Sequence, residues 1–362
     1  MVSLNQATSQ LLIDRHEGLS SQSVGRFYKN NPNSPGNYDP IWRNRLMQEC
    51  RAAFTHLAES VAVNHPEFFI HYIAWAKAIQ MRVGLPAESF LDLIKAEEEI
   101  CLEALPAQSA QIVEGYFRLA LQEYEAMDNW VNESHLEKEA PLFGVARDYM
   151  AALIDGDRNM AEQLIREQFE RSNNITCIYL NVLQPVEREI GRLWHLGEVS
   201  VAQEHFATST TLGIMCEFYP QFAANKRNEH LVVAACVGDE LHDIGLRMVT
   251  DMFENAGWKT YFLGANTPVE SIVQAVIERK ANLLVISATL TNHISLVVNL
   301  IQAIRAEPAC KDVRILVGGH PFNIAPGLWQ DVGADGFGYN AVEAVAEAEK
   351  LFSKFNNQIQ LS

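Results

Sequence analysis

The chain has 362 residues, 48% of them hydrophobic and 20% charged, and a formal net charge of −17. That composition excludes a disordered chain, and the length suffices for two or three domains with cores of their own. The acidic balance, 28 Lys and Arg against 45 Asp and Glu, argues against direct nucleic-acid binding, since the densest basic stretch is only Lys226-Arg227. No apolar run reaches the ~18 residues of a membrane span. Met1 to Gln6 lacks the charged and apolar regions of a secretion signal, and the six cysteines contain no CxxC pair. The expectation is a cytoplasmic protein with reduced thiols that touches neither membrane nor nucleic acid.

Residues 1–135 read as a helical domain. After a turn-rich segment at 30–36, Phe54, Leu57 and Val61 share one helical face, and Phe68, Tyr72, Trp75 and Ile79 share another. Gly84-Leu85-Pro86 interrupts the pattern; helices follow around 90–94 and from about 107 to 126. Residues 136–228 hold a second helical block, with helices predicted at 149–154, 160–169, 175–192 and 201–218, which suits a small four-helix bundle. Residues 229–362 change character. Short apolar runs at 231–236, 260–263, 283–287 and 314–317 alternate with helical patterns at 244–256, 269–279 and 294–305. Runs of that kind are buried parallel strands, and the alternation predicts a doubly wound parallel sheet that binds ligands at the carboxyl ends of its strands. The chain as a whole is expected to be multidomain, α and α/β.

The hexamer Glu240-Leu241-His242-Asp243-Ile244-Gly245 follows the first strand and opens a helix. A histidine there projects above the sheet edge. A neighbouring carboxylate that binds its second ring nitrogen fixes the tautomer and raises ligand basicity, and Gly245 lets a ligand approach closely. Past the third run stand Ser287 and Thr289, whose hydroxyls can line a pocket. Gly318-Gly319 ends the fourth run, where missing side chains would leave a channel, and 333–337 reads as a further tight turn. An ExHxxG loop, then Ser-x-Thr, then Gly-Gly, each at a strand end, resembles the cobalamin-binding Rossmann-like domain over residues 229–355. Aspartate is the commoner residue of that family where Glu240 stands. The resemblance implies that His242 is the lower cobalt ligand, replacing the cofactor's dimethylbenzimidazole. The displaced nucleotide tail would run into a slot near Ser287, Thr289, Gly318 and Gly319, with Glu240, Asp243, Ile244 and Gly245 completing the binding loop.

Within the helical block, Trp194-His195 is followed by Glu204-His205. Tryptophan offers a flat apolar wall, glutamate accepts hydrogen bonds from hydroxyls, and histidine donates or accepts. The Trp-x9-Glu-His spacing resembles the adenosylcobalamin photoreceptors of the CarH type. That resemblance implies a bundle capping the upper face of cobalamin, with Trp194, Glu204 and His205 around the 5′-deoxyadenosyl group. It also implies that His195 takes cobalt from above once light has cleaved the Co–C bond, giving bis-histidine ligation with His242. Residues 1–135 lack the basic winged helix of those repressors. Their helical pattern resembles instead the globin-like sensor domains of photocobilins, which bind biliverdin as well as cobalamin. The bilin candidates are then His56, His71, Tyr72, Trp75 and Arg82, with a haem held by His56, His65 or His71 as the other option.

The leading expectation is a light sensor using adenosylcobalamin, with biliverdin as second chromophore. It would be a homo-oligomer, dimer or tetramer, whose assembly responds to light and which signals through a separate partner. It is not expected to be an enzyme, since the chain shows no Walker loop, nucleophile elbow or metal-hydrolase motif. The competing expectations are a corrinoid methyl carrier of a methyltransferase system and a light-independent cobalamin or tetrapyrrole sensor.

Overall fold

The computed structural model describes residues 3–34, 39–127, 133–222 and 227–359, with side chains to residue 353. Lys226 and part of the 30–36 turn lie outside the described residues. The chain divides into two compact units, residues 1–133 and 134–362.

The described part of the first unit is helical: α1 (Leu4–Asn30), α2 (Pro40–Val63), α3 (Pro66–Arg82), α4 (Ala87–Ala104) and α5 (Ala107–Glu123). Local chemistry sets the ends. Ser3 and Gln6 form a reciprocal capping box on α1. The Asp39 side chain accepts from the Ile41 amide ahead of Pro40, and Asn64 closes α2 in the left-handed conformation. The sequence pattern marks no individual helix before residue 30. The reason is that α1 buries Thr8, Ser9, Ser20 and Ser23 beside Leu12, Leu19, Val24 and Phe27, so its inward face is small and half polar. The shared core includes Phe54, Leu57, Val61, Phe69, Ile73, Leu93, Val113 and Phe117.

Acidic groups enter this core. Glu49 accepts hydrogen bonds from Tyr72 Oη and Gln80 Nε2, both at 2.7 Å. Glu97 is 1% exposed. Burial pushes its carboxyl up to about 8, against the hydrogen bond from the Cys50 thiol and with help from the charge of Glu49.

The second unit opens with α6 (Phe143–Asp155), α7 (Arg158–Ser172) and α8 (Ile175–Ile178). The last runs through a π-helical turn, Tyr179–Leu183, into α9 (Gln184–His195), and α10 (Val201–Phe218) follows. These make four rods, the third continuous through the π turn. Next come β1 (Leu231–Cys236), α11 (Ile244–Asn255), β2 (Lys259–Gly264), α12 (Val269–Arg279), β3 (Leu283–Ser287), α13 (Ile294–Ala306), β4 (Arg314–Gly318), α14 (His320–Ile324), α15 (Leu328–Asp331), β5 (Gly336–Gly338) and α16 (Ala341–Ile359). The five strands are parallel in the order β2-β1-β3-β4-β5. β5 lies inside the stretch read from sequence as a turn. With three residues, two of them glycine, it has no apolar run to betray it.

This strand order reverses direction between β1 and β3, and the crevice at their carboxyl ends is the place for a ligand. The helical cap shares its core with the sheet domain: Tyr149, Ile165, Tyr179, Val186 and Ile214 pack with Met248 and Met252 of α11.

Glu97 yields a prediction. Its carboxyl sits above its ordinary value in the folded chain, so its contribution to stability is complete below about pH 4.5 and is lost as pH rises through about 8. Glu97→Gln should therefore raise the melting temperature of the first unit at about pH 9 and change it little at about pH 5. Calorimetry of the full chain at both values checks this; an equal shift at both would refute it.

Candidate functional site

The loop after β1 is braced before it reaches its functional residues. Asp239 adopts a positive φ of 63°. Its amide donates to Asn266 Oδ1 at 2.8 Å, and the Asn266 amide donates to the Glu240 carbonyl at 2.8 Å. His242 then stands at the loop tip, half exposed, while Glu240 beneath it is wholly buried.

Glu240 gathers donors from two loops. Its Oε1 accepts from the His242 amide at 3.0 Å and from His242 Nδ1 at 2.5 Å. Its Oε2 accepts from the amides of Thr289 at 2.7 Å and Leu290 at 3.3 Å, and from His293 Nδ1 at 3.1 Å. Burial alone would raise this carboxyl. The hydrogen bonds from His242 and Thr289, with that from His293, outweigh it and hold the group at about 2. An ionised carboxylate only accepts, so His242 carries its proton on Nδ1, and the Nε2 lone pair of the neutral ring points outward. The same bond raises the pKa of His242, against the burial of the ring.

Trp194 and His195 stand at the end of α9. Trp194 is 40% exposed, and its ring centroid lies 4.8 Å from that of His195. His195 is exposed, yet the surrounding protein disfavours its charged form. That desolvation, with the charge of His242 adding to it, pushes the imidazole down to about 4. The charge of Glu204 acts on His242 with the opposite sign and raises it. His205 turns to solvent with Nε2 3.4 Å from Glu204 Oε2.

Glu187 belongs to this wall although the sequence reading did not single it out. It accepts from Thr211 Oγ1 at 2.5 Å and from Thr208 Oγ1 at 3.1 Å, and Thr208 also reaches Glu204 at 3.3 Å. Tyr149 Oη and Thr211 Oγ1, 2.8 Å apart, extend the chain into the cap core. Burial pushes Glu187 up to about 7. The signal was available: Glu187 lies seven residues before Trp194, two helical turns away on the same face.

Other expected residues serve as scaffold. Ser287 pairs with Gly318 across β3 and β4, and the Thr289 amide, rather than its hydroxyl, anchors Glu240. The expected channel at Gly318-Gly319 is corrected. Gly319 has φ 103°, and a Cβ there would sit 2.0 Å from the Ala288 carbonyl oxygen, so backbone already fills that space. At Gly245, by contrast, an added Cβ meets nothing within 4 Å. Ile244 packs against the cap core, and Asp243 turns its carboxylate toward Gly264.

In the first unit, His56 stacks on Tyr72 at 4.2 Å, and Trp75 lies 5.8 Å from the same ring. Burial lowers His56 to about 4 and also lowers His71. His65 lies 3.5 Å from Glu67. Arg82 is exposed in the last turn of α3.

Residues 230–346 match a model described as the B12 binding domain, and residues 145–215 match a second model of the same description. The dimethylamine corrinoid protein of Methanosarcina barkeri is 30% identical over 169 residues, which cover 46% of this chain and 76% of that protein. The chain belongs to the corrinoid protein family. Dimethylamine corrinoid protein 1 of Methanosarcina acetivorans is 28% identical over 46% of this chain and 78% of its own length. A corrinoid protein of Desulfitobacterium hafniense is 26% identical over 56% and 95%. The solved monomethylamine corrinoid protein of M. barkeri shares the fold, with a TM-score of 0.53 at 22% identity over 58% of this chain and 100% of that one. Both matched segments lie in the second unit, which is a cobalamin-binding module. These relatives are corrinoid proteins, not photoreceptors.

The donor set suits a corrinoid. The macrocycle brings four nitrogens to cobalt and asks for one imidazole, which His242 presents with its tautomer set by Glu240. Open space at Gly245 and the uncovered faces of Trp194 and Leu241, 40% and 70% exposed, provide room and apolar surface. Glu240→Gln removes the charge that orients His242 and should weaken cobalamin binding about 10–100-fold. Equilibrium dialysis against hydroxocobalamin measures it; unchanged affinity would separate Glu240 from the site.

Proposed function

We propose that this corrinoid protein carries a methyl group within a methyltransferase system, as a carrier and not as the catalyst. Its kinship with dimethylamine corrinoid proteins, one of them 30% identical across 76% of its length, carries this reading. Bound cobalamin supplies a cobalt–carbon bond that can be made and broken. The chain would hold and orient that group: His242 would ligate the cobalt, Glu240 would set its tautomer and basicity, and the cap with Trp194 would shield the bound corrinoid from water. The partners are then the proteins that load and unload the methyl group, and no helix of the described residues is long and apolar enough to cross a membrane.

A second reading is favoured by one observation. The cap presents a polar wall, Glu187, Thr208 and Glu204, beside Trp194 and His195. A methyl group offers nothing to hydrogen-bond, whereas a nucleoside offers hydroxyls and ring nitrogens. His195, pushed down to about 4, is neutral at physiological pH, the form in which an imidazole can ligate a metal. These features would suit an adenosyl form of the cofactor and a light sensor, in which His195 would hold the cobalt after illumination and assembly would change. The His56, Tyr72 and Trp75 cluster would then be the place to seek a bilin.

Reconstitution in the dark with methylcobalamin and, separately, adenosylcobalamin distinguishes the two. For a carrier, both forms bind within about tenfold of each other, and illumination leaves the elution volume on size exclusion unchanged. A light sensor instead prefers the adenosyl form, gives a stable photoproduct that His195→Ala abolishes, and changes its assembly on illumination. The second outcome would overturn the carrier reading.

A further inference from the structure

The crossovers from β1 to β2 and from β2 to β3 run in opposite directions along the sheet, so right-handed winding puts α12 and α13 on the face opposite α11. That face is turned away from the cap, whose core takes in Met248 and Met252 of α11. Helix α12 carries more apolar surface than the sheet uses. Ile272 and Val276 are buried. Val269, Val273 and Ile277 form a second row at i, i+4 and i+8, and Ile277 is 38% exposed. Ala303 and Ala306 of α13 line the other side, and the two helices enclose an open furrow of about 590 Å³. Small side chains opposite a branched row give the furrow its depth.

Its rim has one sign of charge. Glu270 and Glu278 of α12 and Glu307 after α13 line the same furrow. Two of them are bonded to neutral groups: Gln274 Nε2 donates to Glu278 Oε1 at 2.7 Å, and the Ala309 amide donates to Glu307 Oε1 at 3.1 Å. Neighbouring guanidinium groups are engaged elsewhere, Arg279 over the Tyr261 ring at 4.2 Å and Arg305 with Asp335 at 2.7 Å.

We propose that the furrow between α12 and α13 is a docking site for a basic amphipathic helix of a partner protein. Its apolar ridge lies on Val269, Val273 and Ile277, and its lysines or arginines meet the glutamate rim. Charge complementarity selects this occupant. The rim repels nucleic acid and anionic membrane, and a second copy of the chain brings a net charge of −17 of its own. Two packed helices present the groove that the ridge of a third helix fits, and the row from Val269 to Ile277 spans about 12 Å, or roughly two turns. The inference holds for carrier and sensor alike, since either acts through a separate protein.

The test uses the full chain loaded with hydroxocobalamin. The probe is a fluorescein-labelled amphipathic helical peptide of leucine and lysine only, and its control is the same peptide with glutamate for lysine. Fluorescence anisotropy at about 0.15 M salt reads the affinity. The lysine peptide is expected to bind saturably and the glutamate peptide not at all. Affinity should fall about tenfold in Ala303→Gln, which fills the furrow, and in Glu270→Gln with Glu278→Gln, which discharges the rim. Ile277→Asn tests the floor a second way should Ala303→Gln not fold; stoichiometric cobalamin binding reports the fold of each variant. Glu343→Gln with Glu349→Gln removes the same charge from α16 and should bind the peptide as wild type does. Equal losses in the α16 pair and the rim pair, or no loss in the furrow variants, would show general attraction to an acidic chain and overturn the site. Absence of saturable binding overturns it as well. Dimerisation by sedimentation velocity that Ala303→Gln abolishes would give the furrow to a second copy and overturn the basic partner.

Discussion

A single ionised carboxylate, buried without remainder, organises the second unit. Glu240 ties the loop after β1 to the loop after β3, the two strands between which the sheet reverses its winding. An ionised group in that position is stable only because donors converge on both oxygens. Those donors come from residues far apart in sequence, so they assemble only when the sheet has formed. The outcome is a histidine held at the crevice with one nitrogen committed and the other free.

The cap depends on the same assembly. Its third rod carries Trp194 and His195 and is continuous through the π turn 179–183. From that turn Tyr179 Oη donates to Asp251 at 3.0 Å, on α11, the helix that begins directly after the His242 loop. Burial raises Asp251 to about 6, against the hydrogen bond from Tyr179. The rod that carries Trp194 and the loop that carries His242 are thus attached to opposite ends of one short helix. π turns within α-helices are frequent at functional sites, and this one lies in the rod that carries Trp194 and His195. The lower wall is shared by every reading of a corrinoid protein. The upper wall, apolar at Trp194 and polar from Glu187 to Glu204, is where carrier and sensor part company.

Much of this was legible from residues alone. The run 231–236 reads as a buried strand because it is one, every residue after Leu231 being buried. Helix 201–218 was legible from its pattern, and Ser200 with Gln203 forms the capping box at its start. Glu240 was recognisable as a partner of His242 because two residues along a loop keep a carboxylate within reach of an imidazole. Other features left no such trace. α1 hides behind serines and threonines, and β5 behind glycines. The Gly318-Gly319 pair looked like an open slot, yet the glycine at 319 answers to the Ala288 carbonyl. The light-sensing expectation rested on four residues of the cap, whereas the relatives align over 169 residues and are named corrinoid proteins.

The sequence by itself determined four of the five strands, most of the long helices and the pairing of His242 with Glu240, because each is written in short-range periodicity or in neighbours two residues apart. Only the tertiary structure decided what stands around them. His293 comes to Glu240 from 53 positions away, Thr208 and Glu187 meet across 21, and Tyr179 and Asp251 across 72. Such pairings follow from the parallel winding of the sheet and the packing of the cap against α11. A buried charge is satisfied in three dimensions by whichever donors the fold brings to it, and spacing along the chain carries no record of them.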